Sequence, residues 1–170
     1  VAQIWTMVSW MALPWHNLDF KTFKSDTAVM ELFRSELQGS GMYTLPNMDP
    51  ANYESTELKE EWDRKATEGP FVFMAVNANG IPSGMGLPMG INVIMNFIIA
   101  AMLFWLVGKT TITCPKGRSV FIAVAATIGA VSVHISNWNW WHFPNMYTIV
   151  GIADVFITWL FAGFVMGKVF

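Results

Sequence analysis

The sequence predicts a mostly α-helical membrane protein: a four-helix transmembrane bundle with a truncated first helix and a small extracytoplasmic α+β cap. Three long apolar runs, Met89–Val107, Ser119–Asn137 and Met146–Gly167, fill the last half of the chain. Each is close to the roughly 20 residues that a helix needs to cross about 30 Å of hydrocarbon. Only two side chains that can carry a charge near neutral pH, His134 and Asp154, fall within these runs. Helices that are apolar on nearly every side are typical of a membrane interior.

The charges of the chain are divided unevenly and predict its orientation. Residues 16–88 carry eleven acidic and six basic side chains, whereas the loop 108–118 carries three basic ones and no acid. Short loops rich in Lys and Arg stay on the cytoplasmic side of a membrane. We therefore expect a cytoplasmic loop at 108–118 and an acidic extracytoplasmic domain at 16–88. Neither half of the chain has the basic surface that nucleic-acid binding needs.

The first stretch, residues 1–15, is apolar and uncharged but too short to cross a bilayer alone at about 1.5 Å per residue. We interpret it as the outer part of a first transmembrane helix. A cleaved signal peptide is the alternative, although a basic region and a small-residue cleavage site are lacking. Four spans are thus expected, with three as the alternative, and residues 89–170 form a three-helix transmembrane region.

The acidic domain shows its own alternation of helix and strand signals. Residues 25–37 have helical apolar spacing after a Ser-Asp start, and residues 57–66 form a charged surface helix. The apolar runs 42–45 and 71–76 are predicted to be strands. Pairing of these two strands would give the small α+β cap.

Four short aromatic and proline motifs carry a family resemblance. They are Trp10–His16, Met42–Asn47, Gly69–Phe71 and Asn137–Phe143. With them the chain resembles an uncharacterised small bacterial inner-membrane protein family. The resemblance implies a bacterial inner (cytoplasmic) membrane location and four spans, and it brings no known catalytic residues.

Four polar residues inside the spans form the predicted intramembrane cluster: Asn92, Asn96, His134 and Asp154. At about 100° per residue each helix has one polar or small stripe, so the stripes are expected to converge. We expect His134 and Asp154 to be neighbours, with Asn96 in hydrogen-bond range of one of them. Interhelical packing is the favoured role, and a proton- or ion-handling role for Asp154 is the alternative.

The last span also contains a GxxxG pattern, formed by Gly163 and Gly167. Gly163 lies about 180° around the helix from Asp154, because nine residues separate them. If Asp154 faces the bundle, this helix-packing face is available to another subunit. The sequence therefore predicts a homo-oligomer or a place in a larger membrane complex.

The remaining aromatic and histidine residues at the ends of the spans are predicted to anchor the chain at the membrane interface. They are Trp15, His16, Trp138, Trp140, Trp141 and His142. A copper or haem site using the histidines and the twelve methionines is a weaker alternative, since no two histidines have ligand spacing. We expect no metal and no cofactor.

No catalytic motif supports an enzyme. Gly108-Lys109-Thr110 resembles the end of a phosphate-binding loop, but Leu103 stands where that pattern needs its first glycine. The favoured function is a structural or accessory membrane protein that contacts lipid and self-associates or binds a larger complex. A small ion- or proton-coupled transporter and a metal- or haem-binding redox subunit are the alternatives.

Overall fold

A computed structural model describes residues 1–49, 51 and 53–169 of the chain. Over this part of the chain the elements follow in the order α1 (Ala2–Met11), α2 (Asp26–Glu36), β1 (Gly41–Leu45), α3 (Thr56–Glu68), β2 (Val72–Val76), α4 (Gly86–Val107), α5 (Pro115–Trp141) and α6 (Asn145–Met166). The chain divides into two compact units. One contains residues 1–21 and the chain from Gly84 onward, and the other contains residues 22–83.

The three apolar runs are confirmed as helices, α4, α5 and α6, which are long and apolar enough to cross a membrane. Their mean hydropathy is 2.2, 1.9 and 2.1, and their lengths are 22, 27 and 22 residues. This supports the prediction of a mostly helical membrane protein. The fourth predicted span corresponds to α1, which is ten residues long and so covers only about half of a bilayer core.

Helix α5 is longer at both ends than the predicted run of residues 119–137. It begins at Pro115, where the Cys114 thiol accepts a hydrogen bond from the Gly117 amide at 3.3 Å. It ends at Trp141, and His142 then takes a left-handed conformation with φ of 55°. At 1.5 Å per residue, 27 residues span about 40 Å, so both ends extend past the hydrocarbon core.

Helices α5 and α6 form the main packed pair of the transmembrane unit. A Cβ atom on Gly163 would lie 3.1 Å from the Ile122 Cβ, and one on Gly167 would lie 2.9 Å from the Pro115 carbonyl oxygen. Ser119 adds a buried hydrogen bond from its hydroxyl to the Leu160 carbonyl at 2.7 Å. The glycines of α6 therefore let α5 approach closely.

This position corrects the prediction that the Gly163–Gly167 face is available to another subunit. Both glycines are buried within the chain because α5 covers the face opposite Asp154.

The segment after α1 folds back onto the N-terminal end of α6. Pro14–Asn17 forms one 3₁₀ turn, and Asp19 lies just beyond it. The Asp19 carboxylate accepts a hydrogen bond from the Tyr147 backbone amide at 2.7 Å. A carboxylate in the first turn of a helix satisfies a free amide and complements the helix dipole. This contact fixes the N-terminal segment to α6.

In the second unit, β1 and β2 pair antiparallel, with Gly41 opposite Val76 and Leu45 opposite Val72. The predicted pairing of the two strands is confirmed. Helix α3 reaches the end of β1 through its Trp62 indole, which donates to the Pro46 carbonyl at 3.1 Å.

The exposed face of α3 carries an ion pair between Lys65 and Glu61. The hydrogen bond from Lys65, together with its charge, holds the pKa of the Glu61 carboxyl below its usual value.

Candidate functional site

Asp154 lies near the middle of α6, and its side chain is 14% exposed. One carboxylate oxygen accepts a hydrogen bond from the Trp5 indole Nε1 at 2.6 Å. The other lies 3.5 Å from the His16 Nε2. Both partners come from the N-terminal segment. The carboxylate therefore joins α6 to α1 and to the turn that follows it.

Ser9 and Trp15 extend this network beyond the carboxylate. The Ser9 side chain is fully buried, and its hydroxyl lies 2.9 Å from the same His16 Nε2. The Trp15 indole donates to both the carbonyl and the hydroxyl of Ser9, at 3.2 and 3.0 Å. The Trp10 ring stacks on the His16 imidazole, with centroids 3.8 Å apart. These residues, with Trp5 and Asp154, are called the Asp154 network below.

The local sequence explains why the network closes. Trp5 and Ser9 are four residues apart, so they lie on one face of α1. Helix α1 ends at Met11, and Pro14 begins the 3₁₀ turn, because a proline lacks the amide that would continue a helix. The turn places His16 beside Ser9, one helical turn beyond Trp5. A short helix with a sharp return thus brings the Trp5 indole and the His16 imidazole to the Asp154 carboxylate, with Ser9 bonded to His16.

The geometry of the network limits its chemistry. Ser9 and Asp154 both face Nε2 of His16. In a Ser-His-Asp catalytic triad the hydroxyl and the carboxylate bond opposite nitrogens of the imidazole. The arrangement therefore does not match a nucleophilic hydrolase. It is a compact hydrogen-bond network with one carboxylate and one imidazole at contact distance.

The residues of the predicted polar cluster are divided between three places. Asn96 donates to the Gln3 side chain at 3.1 Å and to Asn92 at 3.0 Å. His134 lies against Gly151, where an added Cβ would come within 2.7 Å of its Nε2. Among the residues that the structure describes, its buried Nδ1 has no hydrogen-bond partner.

The four polar residues do not converge on one another as the sequence predicts. Asn96 bonds neither His134 nor Asp154, because α1 lies beside α4 and α6 and supplies Gln3 and Trp5 as partners. His134 contacts Gly151, which lies one turn before Asp154 in α6. The described side chains of His134 and Asp154 form no hydrogen bond with each other. The intramembrane carboxylate was identified from the sequence, but its partners were not.

His16 also differs from its predicted role as an interfacial anchor, whereas the anchor role of the half-buried Trp15 stays a prediction. The His16 side chain is 9% exposed, since the return of the chain after α1 turns it inward onto Asp154. The anchors predicted at the end of α5 lie on the surface: Trp138, Trp140, Trp141 and His142 are all exposed. Trp138 donates to the Asn145 side chain at 2.7 Å.

Sequence reasoning missed Gln3, Trp5 and Ser9 as members of the site. The available signal was their spacing in an otherwise apolar stretch, because residues 5 and 9 share a helical face. Within the described residues, no three His, Cys, Asp or Glu side chains are grouped so that they could hold a metal ion.

Helix α4 provides a second surface of interest. Of its 22 residues only Leu103 and Val107 are buried, both near its C-terminal end. In its other half Gly86 and Gly90 are exposed, and an added Cβ at either position would meet no atom within 4 Å. Ile94, one turn further along, is 61% exposed. Apolar side chains and open backbone thus lie side by side on this helix.

Comparison of the chain with family models, with curated proteins and with solved structures finds no match. The function is therefore inferred from the site and the surfaces of the molecule alone.

Proposed function

We propose that the chain is an integral membrane accessory protein that self-associates, or joins a larger membrane complex, through the outer half of α4. The observation that carries this proposal is the open backbone at Gly86 and Gly90 beside the exposed Ile94. Without a hydrophobic driving force in lipid, helices associate where small residues let their backbones come close. The four-residue spacing of the two glycines provides such a place on a helix that the chain itself leaves largely uncovered.

The Asp154 network supports the same function from inside the molecule. It joins α1 and the turn after it to α6 through side chains that are mostly buried. A polar group within a span is stabilised when neighbouring helices satisfy it. In this proposal the network holds the bundle together, and α4 makes the external contact.

Replacement of Gly86 and Gly90 by leucine tests the assembly surface. We expect the double variant to fold but to lose its oligomeric or complexed form in native mass spectrometry from mild detergent. Gly129→Leu in α5 is the matched control, because its Cβ position is also open. Unchanged assembly in the double variant, or equal loss in the control, would contradict the proposal.

We also propose the inner membrane of a bacterium as the location, with residues 16–88 on the extracytoplasmic side. The family resemblance and the basic loop 108–118 support it. Cys114 in that loop is exposed and is the sole cysteine of the chain. A membrane-impermeant maleimide should label it only after the membrane is opened. In the Cys114→Ser background, Ser40→Cys should be labelled on intact spheroplasts. The reverse pattern would overturn the orientation.

The Asp154–His16 pair favours one second candidate function, a small proton- or ion-coupled transporter. An ionisable carboxylate within a span, 3.5 Å from the imidazole of the turn that follows α1, is a typical feature of proton pathways. Transport predicts that Asp154→Asn abolishes proton flux in proteoliposomes while assembly persists. The accessory function predicts that Asp154→Asn affects assembly less than the Gly86 and Gly90 substitutions do.

A further inference from the structure

An apolar groove runs along the other half of α4, towards the end that precedes the basic loop. Its walls come from α4 between Phe97 and Trp105 and from Met166 of α6, and it ends at Lys109. Ala100 and Ala101 form part of its lining, and their small side chains leave a volume of about 600 Å³. The groove is thus an open apolar depression along α4, with the Lys109 cation at one end.

The length of the groove matches one leaflet of a bilayer. Phe97 and Val107, the last residue of α4, are ten residues apart, which corresponds to about 15 Å along the helix, and Lys109 follows two residues later. Half of the hydrocarbon core is about 15 Å thick. An acyl chain lying along the groove from the bilayer centre would therefore bring its headgroup to the level of Lys109.

The charge at this end of the bundle is of one sign. The cations are Lys109, Lys116, Arg118 and Lys168, and Asp154 is the sole carboxylate side chain of residues 69–170. The Lys109 ammonium lies over the Trp105 ring at 5.5 Å from its centroid. A lysine beside an aromatic ring at a span end keeps its apolar stem in lipid and its ammonium at the interface. An anionic group at the groove mouth would meet this positive field.

We propose that the groove binds an anionic phospholipid, with one acyl chain between α4 and Met166 and the phosphate at Lys109. Apolar lining, leaflet-matched length and a cationic mouth are together the complement of such a lipid. The site lies in the opposite half of α4 from Gly86 and Gly90. It is therefore separate from the proposed assembly surface, and its test does not depend on that surface.

Trp105 reports on occupancy of the groove, because it lines it. Brominated acyl chains quench a nearby indole, and the Trp105→Phe variant gives the background of the other tryptophans. We expect brominated phosphatidylglycerol to quench the Trp105 signal at lower mole fraction than brominated phosphatidylcholine. Equal quenching by the two lipids would overturn the proposal.

Two charge variants separate a specific site from diffuse attraction. One lysine near a membrane surface contributes about 1 kcal/mol with anionic lipid, which is about fivefold in affinity. Lys109→Gln should therefore lower the preference for phosphatidylglycerol about fivefold. Lys116→Gln removes the same charge from the first turn of α5, outside the groove, and should leave the preference within about twofold. Equal effects of the two variants would overturn the site.

A packing variant tests the acyl-chain part of the proposal. Ala101→Phe fills the groove without changing charge, and we expect it to reduce quenching by brominated phosphatidylglycerol severalfold. Ile98→Phe adds an aromatic ring to the exposed surface of α4 outside the groove and should leave quenching unchanged. Unchanged quenching in Ala101→Phe, or dimer formation that alone accounts for shielding of Trp105, would overturn the proposal.

Discussion

Helices α4 and α6 have the same length of 22 residues and nearly equal mean hydropathy, 2.2 and 2.1. Their surroundings nevertheless differ. Six residues of α6 are buried, whereas α4 buries two. Helix α6 contacts α5 on one face through glycines and α1 on another through Asp154. Helix α4 contacts its neighbours mainly near Leu103 and at Asn96.

The two helices therefore indicate separate roles for two features of their sequences. Apolar content decides whether a helix enters a membrane, whereas small and polar residues decide which neighbour it packs against. Lipid is as apolar as leucine, so a leucine-rich face gains little from burial against another helix. Gly151, Gly163 and Asp154 each give α6 a specific neighbour. On α4 the corresponding small residues, Gly86 and Gly90, remain open.

The largest expected effect comes from enlarging a packed glycine of α6. Gly151→Leu should lower the free energy of unfolding by about 3 kcal/mol, because the His134 imidazole occupies the space of the new side chain. Unfolding in mixed detergent, followed by circular dichroism, measures this. The matched change on α4, Gly90→Leu, enters open space and should change stability by less than about 0.5 kcal/mol. Equal losses would remove the distinction between the two helices.

A smaller effect is expected from removing a donor to Asp154. Trp5→Phe keeps an aromatic ring but leaves one carboxylate oxygen without its hydrogen bond. It should cost about 1–2 kcal/mol in the same unfolding measurement. Trp138→Phe is the control, because it removes an indole hydrogen bond at an exposed position and should be nearly neutral. A neutral Trp5→Phe would mean that α1 is not held by the carboxylate.

Next in size is the cap of α6. Asp19→Ala removes the carboxylate bonded to the Tyr147 amide and should cost about 0.5–1 kcal/mol. Helix α4 has no side-chain cap at Met85, so Met85→Ser is the informative counterpart. It should leave stability unchanged or raise it slightly. If Asp19→Ala has no effect, the segment after α1 does not fix the end of α6.

The smallest effect concerns the hydrogen bond between Asn96 of α4 and Gln3 of α1. A double-mutant cycle of Gln3→Ala and Asn96→Ala should give a coupling energy of about 0.6 kcal/mol. The contact is a single amide hydrogen bond of 3.1 Å. A coupling above about 2 kcal/mol would show that α4 is held as firmly as α6. A second cycle of Asn92→Ala and Asn96→Ala measures the coupling energy of the hydrogen bond within α4, for comparison.

The spans could be predicted from sequence because apolar run length is a local property. The end of α5 could not, since Trp138–Trp141 suit both an interfacial loop and a helix end. Asp154 could be singled out because its charge is rare in a span. Its partners could not, because helix neighbours are long-range contacts and His16 depends on the turn at Pro14.

The two faces of α6 make the same point. The 180° separation of Gly163 from Asp154 follows from helix geometry. In the structure Gly163 accordingly packs against α5, whereas Asp154 contacts α1. Which neighbour covers the glycine face is not encoded in α6 itself. Helix α5 covers it because Ser119 and Ile122 present a complementary surface.

The most direct test is a spin-label accessibility scan of α4 and α6 in lipid bilayers, with single cysteines in a Cys114→Ser background. We predict high collision rates with oxygen, the lipid-soluble probe, at Gly90→Cys, Ile94→Cys and Ile98→Cys, and low rates for both oxygen and a water-soluble nickel probe at the buried positions Val150→Cys and Thr158→Cys. Oxygen access at positions 150 and 158 equal to that at 94, or nickel access along the middle of α4, would contradict a membrane bundle with a packed α6 and an open α4.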